Sequence, residues 1–216
     1  MQVSLRHLVI ACGLLLPAWA GAQPAPAASA PDAARGASAW PMCGTCHGAQ
    51  GQGMPSVGAP ALGGQTAAYV ERQLLAFRAD QRGTHADDVQ GNRMRYLAKT
   101  IPGDALVADI AAHVATLPPS AADRALAGRA AVGRGLFQRH CVACHGAQGQ
   151  GLPAQQAPRI AGLGDQYLLT QWHLFRAGQR NGPASEPMTK AAATLRDERA
   201  VRDVIAWLAT QTRTTP

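Results

Sequence analysis

Residues 43–53 read CGTCHGAQGQG, and residues 141–151 read CVACHGAQGQG. The second copy begins 98 residues after the first, and HGAQGQG is identical in both. A CxxCH run suits covalent attachment of a c-type haem. Two thiols three residues apart on a helical turn reach the two vinyl groups of one porphyrin, and the adjacent histidine ligates the iron from the same side. Zinc is the main competitor, but a zinc site wants a second cysteine or histidine pair about 12–20 residues away, and neither motif has one. A thioredoxin-like dithiol wants alternating strands and helices, which are missing. The motifs therefore predict two haem c groups, attached through Cys43 and Cys46 and through Cys141 and Cys144, with His47 and His145 on the irons.

Working outward from the motifs, the same shift of 98 places Pro60 on Pro158, Gly64 on Gly162, Tyr69 on Tyr167, Gln73 on Gln171, Phe77 on Phe175 and Gln81-Arg82 on Gln179-Arg180. Beyond that the shift falls to 94, a four-residue insertion around THADDVQGN, so that Met94 pairs with Met188 and Asp109 with Asp203. A repeat this long is a duplicated domain rather than a solenoid unit. Val70, Leu74 and Phe77 make a helical stripe that Leu168, Trp172 and Phe175 repeat. The last helix of the first half starts near Asp104. In the second half Thr194 and Asp197 can form a capping box ahead of Val201, Ile205 and Leu208. No stretch alternates persistently enough for a sheet, so the expected fold class is all-α, twice over.

Methionine is rare after the N-terminal segment: Met42, Met54, Met94 and Met188. Only Met94 and Met188 stand at matched positions, each just ahead of a last helix in otherwise loop-like sequence. They are the expected sixth ligands of the two irons. His85, in the insertion, is the one credible substitute for Met94. The remaining His113, His140 and His173 lack counterparts and read as solvated or core-edge residues.

With these residues in view, each half resembles a small class I cytochrome c, and the tandem resembles the dihaem cytochrome c4 family of bacterial periplasms. The resemblance is carried by CGTCHG and CVACHG, by APALGGQTAAYVERQLLAFR and APRIAGLGDQYLLTQWHLFR, and by NRMRYLAKTI and EPMTKAAATL, and it spans residues 36–214. It implies that the carbonyls of Pro60 and Pro158 accept a bond from the ligand histidines, and that the two haems come close at the domain interface. It also implies an electron carrier rather than an enzyme, respiratory in role and delivering electrons towards a terminal oxidase. The alternative is the cytochrome subunit of a periplasmic dehydrogenase complex. The partners would be redox proteins, a membrane oxidase or quinol-oxidising complex or such a dehydrogenase, and the class admits peripheral membrane association. A dihaem peroxidase would need one iron with an opening coordination position. One departure stands out: Gly133 and Phe137 step towards Cys141, whereas the first half has Arg35 and Ala39 there, with Pro41 interrupting the helix and His113 in place of Trp207. The first half is therefore expected to have the weaker helix–helix contact.

Composition agrees with this reading. Aromatic residues are only 5% of the 216, too few for two well-filled small cores without a large apolar cofactor. The opening MQVSLRHLVIACGLLLPAWAGA has a short basic start, an apolar run and an A-x-A ending, the pattern of an export signal over residues 1–22. VIAC resembles a lipobox, but the apolar run continues past Cys12. Cleavage would take the charge from +7 to +6, and the scattered charges lack the basic stripe of a nucleic-acid binder. The expected order is a disordered Pro/Ala-rich linker (23–35), a first cytochrome c domain (36–118), an interdomain linker (119–125) and a second domain (126–216), all in the periplasm.

Overall fold

The computed structural model describes residues 29–120, 126–180, 182–195 and 197–211. The export-signal segment (1–22), residues 23–28 of the 23–35 segment and residues 121–125 of the 119–125 segment lie outside the described residues. The first half holds α1 (Ala33–His47), α2 (Ala67–Arg78), α3 (Val89–Lys99) and α4 (Gly103–Thr116). The second holds α5 (Ala130–His140), α6 (Val142–His145), α7 (Asp165–Arg176), α8 (Glu186–Thr194) and α9 (Glu198–Leu208). Among the described residues there is no strand, only the isolated bridges Met54–Ala59 and Leu152–Ala157. The all-α expectation holds.

In each half the first helix crosses the last. Gly36 faces the Asp109 carbonyl and Gly133 the Asp203 carbonyl, where any Cβ would collide. One turn further on, Trp40 meets His113 with ring centroids 5.4 Å apart, and Phe137 meets Trp207 at 4.4 Å. The crossing partners in the first half are thus Gly36 and Trp40, one residue beyond the expected Arg35 and Ala39. Trp40 with His113 fills the space in the first crossing that Phe137 with Trp207 fills in the second, with its rings further apart. The correct shift for this helix is 97, so the second half carries one extra residue between its aromatic and its first cysteine. That residue is absorbed as a kink: α5 ends at His140, Cys141 adopts φ −125° and ψ −30°, and α6 begins after it. α1 needs no such break and runs unbroken through Pro41 to His47. Ala37, whose carbonyl loses its usual helical partner to the proline ring, is exposed, so water can take that bond.

Helix ends depart from expectation in three places. Asp32 caps α1, accepting from the Ala34 and Arg35 amides, so helix begins inside the 23–35 stretch expected to be disordered. Asp197 alone caps α9, through the Arg199 amide, and the Thr194 hydroxyl bonds back to Ala191 instead of forming a capping box. The sequence around both methionines is helical rather than loop-like. Asp88 caps α3 through the Gly91 amide, and Pro187 sits in the first turn of α8, where its missing N–H has no cost.

A buried aspartate in the last helix ties each crossing. Asp109 accepts from the Asp32 amide (2.7 Å) and from Arg35 Nε (2.7 Å), and Asp203 accepts from the Arg129 amide (2.7 Å) and Arg129 Nη2 (2.8 Å). The Arg129 hydrogen bond, then the backbone amide, hold the Asp203 carboxyl below its usual range. A depressed folded pKa gives stability that is present above the unfolded value near 4 and lost as pH falls through the folded value. Asp203→Asn should therefore melt earlier than the parent at pH 7, and the gap should close progressively below about pH 4 in thermal melts.

Separate cores form around these crossings. Val70, Ile101, Val107, Ile110 and Val114 surround Trp40 in the first half. In the second, Leu169, Trp172, Phe175, Val201 and Ile205 adjoin the group of Phe137, Val204, Trp207 and Leu208. The halves are joined by polar contacts, among them a buried one, Gln65 Nε2 donating to the Arg159 carbonyl at 2.7 Å, and an exposed one, Arg72 Nη2 donating to the Gln156 carbonyl at 2.6 Å.

Candidate haem sites

Cys43, Cys46 and His47 share one face of the last turn of α1, at i, i+3 and i+4. In the second half Cys141 sits at the kink, while Cys144 and His145 lie in α6. All four thiols are free, three half-buried and Cys144 exposed. Burial raises the Cys43 thiol, and burial followed by the neighbouring Cys144 pushes Cys141 to about 11.

The HGAQGQG tail folds identically after each histidine. Gly48, Gly51 and Gly53 have φ of 81°, 66° and 84°, and Gly146, Gly149 and Gly151 have 78°, 73° and 84°. The Gly53 amide bonds back to the His47 carbonyl at 2.8 Å, and the Gly151 amide to His145 at 2.8 Å. A Cβ on Gly53 would stand 2.6 Å from the Ala61 nitrogen and 2.9 Å from the Pro60 carbonyl carbon. A Cβ on Gly151 would meet the equivalent Arg159 and Pro158 atoms at 2.6 and 2.7 Å. These glycines let the proline loop pass directly behind the histidine. Their role was not read from the sequence, although the identical tail was the signal for it.

His47 Nδ1 donates to the Pro60 carbonyl at 2.8 Å, and His145 Nδ1 to Pro158 at 2.9 Å. With Nδ1–H committed, Nε2 is the free lone pair, the arrangement in which a bond from behind orients a metal-binding imidazole. Both histidines are 5% exposed. Burial lowers each below the usual histidine range, and the proline bond opposes that shift without reversing it.

Met188, half-buried on α8, brings its sulfur to 3.5 Å from His145 Nε2. Met94 is half-buried on α3. Among the described residues it makes no equivalent contact with His47. His85 is turned away into its own loop, accepting from the Asp87 amide at 3.2 Å.

The residues present fit haem. Each half pairs two free thiols with a buried imidazole tied at Nδ1, the donor set that covalent haem attachment needs. Among the described residues no group of three or more His, Cys, Asp or Glu side chains could hold a metal, whereas a structural zinc site needs four ligands together.

Comparison with known proteins agrees. The cytochrome c family model matches residues 33–118 and again 130–212. A thiosulfate dehydrogenase electron acceptor from Stutzerimonas stutzeri (strain A1501) is 34% identical over 72% of this chain and 73% of that protein. Cytochrome c4 from Thiocapsa roseopersicina is 32% identical over 73% of this chain and 81% of that protein. The crystal structure of reduced cytochrome c4 from Pseudomonas stutzeri superposes with a TM-score of 0.68 at 27% identity, covering 83% of this chain and 98% of that one. With a family match in both halves, relatives matched over more than two thirds of both chains and the paired histidine sites, the chain belongs to the cytochrome c family, as a dihaem electron carrier of the cytochrome c4 kind.

Proposed function

We propose that the chain carries single electrons through the bacterial periplasm as a respiratory carrier, taking them from a donor complex and passing them towards a terminal oxidase. The observation that carries this reading is the approach of Met188 to the free Nε2 of an imidazole already tied at Nδ1. In this assignment Cys43, Cys46, Cys141 and Cys144 hold the two haems covalently. His47 with Met94 and His145 with Met188 would hold the two irons, and Pro60 and Pro158 would fix the imidazoles. When bound, the haems supply the one-electron couple. The chain's part would be to keep these side chains in place, and methionine sulfur on an iron would favour the reduced state. The assigned domains run over 36–118 and 126–216 behind an export signal. Among the described residues no helix is long and apolar enough to cross a membrane.

The 34%-identical relative favours a second reading, in which the donor is a dehydrogenase that oxidises thiosulfate. Stopped-flow mixing of the oxidised protein with such an enzyme and thiosulfate, beside mixing of the reduced protein with oxidase-containing membranes, tests both. Fast reduction in the first assay supports the dehydrogenase reading, and fast oxidation in the second supports the oxidase. Failure in both removes the carrier role.

Met94→His should keep its haem low-spin while lowering its potential, on the order of 0.1 V within the roughly 0.8 V that axial ligands span. Spectroelectrochemical titration measures it. If Met94→Ala leaves the first haem's spectrum unchanged, another ligand such as His85 holds that position.

Docking should use the first half. Four ionised propionates bring the ferrous mature protein to about +2, too little for net charge to steer association, so local patches decide. Arg93, Arg95 and Lys99 surround Met94. Asp80 neutralises part of this group, bonding Arg95 at 2.7 Å and Lys99 at 2.6 Å, and an excess of positive charge remains. Near Met188, Lys190 is paired with Glu186 at 2.7 Å. Val89, Tyr96 and Leu97 are exposed on the same α3 helix. Arg93→Glu with Arg95→Glu should slow association with an acidic partner about tenfold at low ionic strength, with the loss shrinking as salt rises. An unchanged stopped-flow rate at low salt would place the docking face on the second half.

A further inference from the structure

The two halves share a fold but not a charge pattern around their attachment cysteines. Residues 36–70 of the first half contain no Asp, Glu, Lys or Arg, whereas residues 126–164 of the second contain Arg129, Arg134, Arg139 and Arg159 and no acid. Arg129 is taken by Asp203 at 2.8 Å, and Arg159 is buried. Arg134 and Arg139 are exposed on α5, and among the described residues neither makes an ion pair.

Gly133 and Phe137 turn the inner side of α5 towards α9. The outer side exposes Ala131, Arg134, Gln138 and Arg139, with Gly135 between the arginines, so the cations flank a shelf of small side chains. At the shift of 97, Arg134 and Arg139 correspond to Ala37 and Met42 on α1, both exposed and neutral. The same side of the same fold is therefore cationic in one half and uncharged in the other. Arg139 gains from the dipole at the end of α5, but Arg134, in mid-helix, does not. The cationic side also runs up to an attachment thiol. Arg139, His140, Ala143 and Cys144 are all exposed, whereas Cys46, the counterpart of Cys144, is half-buried. Charge of one sign beside a redox centre speeds encounter with a surface of the opposite sign, a task for which the net charge of this protein is too small.

We propose that this face of α5 is a second docking surface, which receives an acidic electron-transfer protein and is separate from the α3 face of the first half. The inference rests on the carrier reading: a carrier meets a donor and an acceptor, and faces on separate halves let each meet its own. An anionic membrane suits the face less well, because Val132 is the only large apolar side chain exposed on α5, too little apolar area to insert.

The test uses the fully loaded protein, with haem content measured for every variant. Two double variants lower the net charge equally: Arg134→Gln with Arg139→Gln on α5, and Ala37→Glu with Met42→Glu at the matched positions of α1. Stopped-flow mixing with a thiosulfate-oxidising dehydrogenase and with oxidase-containing membranes reads both partners. At low ionic strength the glutamine pair should slow association in one of these reactions about fivefold, with the loss shrinking as salt rises. The α1 pair should leave that reaction within about twofold of the parent, as should Arg134→Lys with Arg139→Lys, which keeps the charge. Equilibrium binding of the oxidised protein to the affected partner, in which no electron moves, should weaken by the same factor. Unchanged rates or unchanged binding in the glutamine pair overturn the proposal. Equal slowing by the glutamine and α1 pairs overturns it too, since net charge alone would produce that, and so does a loss that persists at high salt. Binding to anionic phospholipid vesicles that the glutamine pair abolishes, with both partner rates unmoved, assigns the face to a membrane and overturns the proposal. A parent protein that reacts with neither partner removes the carrier role itself, and the docking face with it.

Discussion

Cys43→Ser with Cys46→Ser is expected to remove one haem and leave the other in place, halving the haem absorbance per polypeptide. The two halves have separate cores, one around Trp40, Val107 and Val114 and the other around Phe137, Trp172 and Trp207. The second attachment site draws its cysteines, histidine, proline and methionine entirely from the second half, so it needs nothing from Cys43 or Cys46. The first half should in turn lose stability, because its few aromatics cannot replace a cofactor of that size. Haem absorbance per chain with a thermal melt reads both effects. Loss of both haems would mean that the second site forms only against a loaded first half.

The other large effect is expected at Gly133. Its missing side chain lets α5 lie against the carbonyl end of Asp203 on α9, and a Cβ there would run into backbone that cannot move aside cheaply. The same displacement would pull Arg129 from Asp203. Gly133→Ala should cost about 3 kcal/mol or more, at the upper end of overpacking effects, lowering the melting temperature of that half by roughly 10 °C or more. Gly135→Ala, two residues along the same helix, has only Arg139 Nη1 at 3.5 Å in its way. It should be neutral or stabilise by about 0.5–1 kcal/mol through helix propensity. Equal effects from the two variants would show that the close approach of Gly133 to Asp203 does not set the loss.

These contrasts show what could be read from the chain and what could not. The duplicated CxxCH, the shift from 98 to 94 and the matched methionines are local patterns, and the all-α tandem followed from them. The crossing partners were misread because a single-residue offset between Gly36 and Gly133 is invisible when the aromatics differ, Trp40 against Phe137. Only the packing shows that Cys141 absorbs it as a kink. Pro41 looked like a helix breaker, yet its neighbour Ala37 is exposed and the helix continues. Asp109 and Asp203 were aligned but given no role, since an aspartate on an apolar helix face is explained only by the arginine and amide brought to it from about 75 residues away in sequence. Arg82 and Arg180 were aligned but given no role, because part of their hydrogen bonding crosses to the glutamine and tyrosine of the opposite half.

The central claim is that one chain holds two haems, each on its own CxxCH. Intact mass of the exported protein, measured under denaturing conditions that strip any non-covalent cofactor, tests it most directly. The account predicts the polypeptide mass plus two haems. A mass increase of one haem, or none, would contradict it.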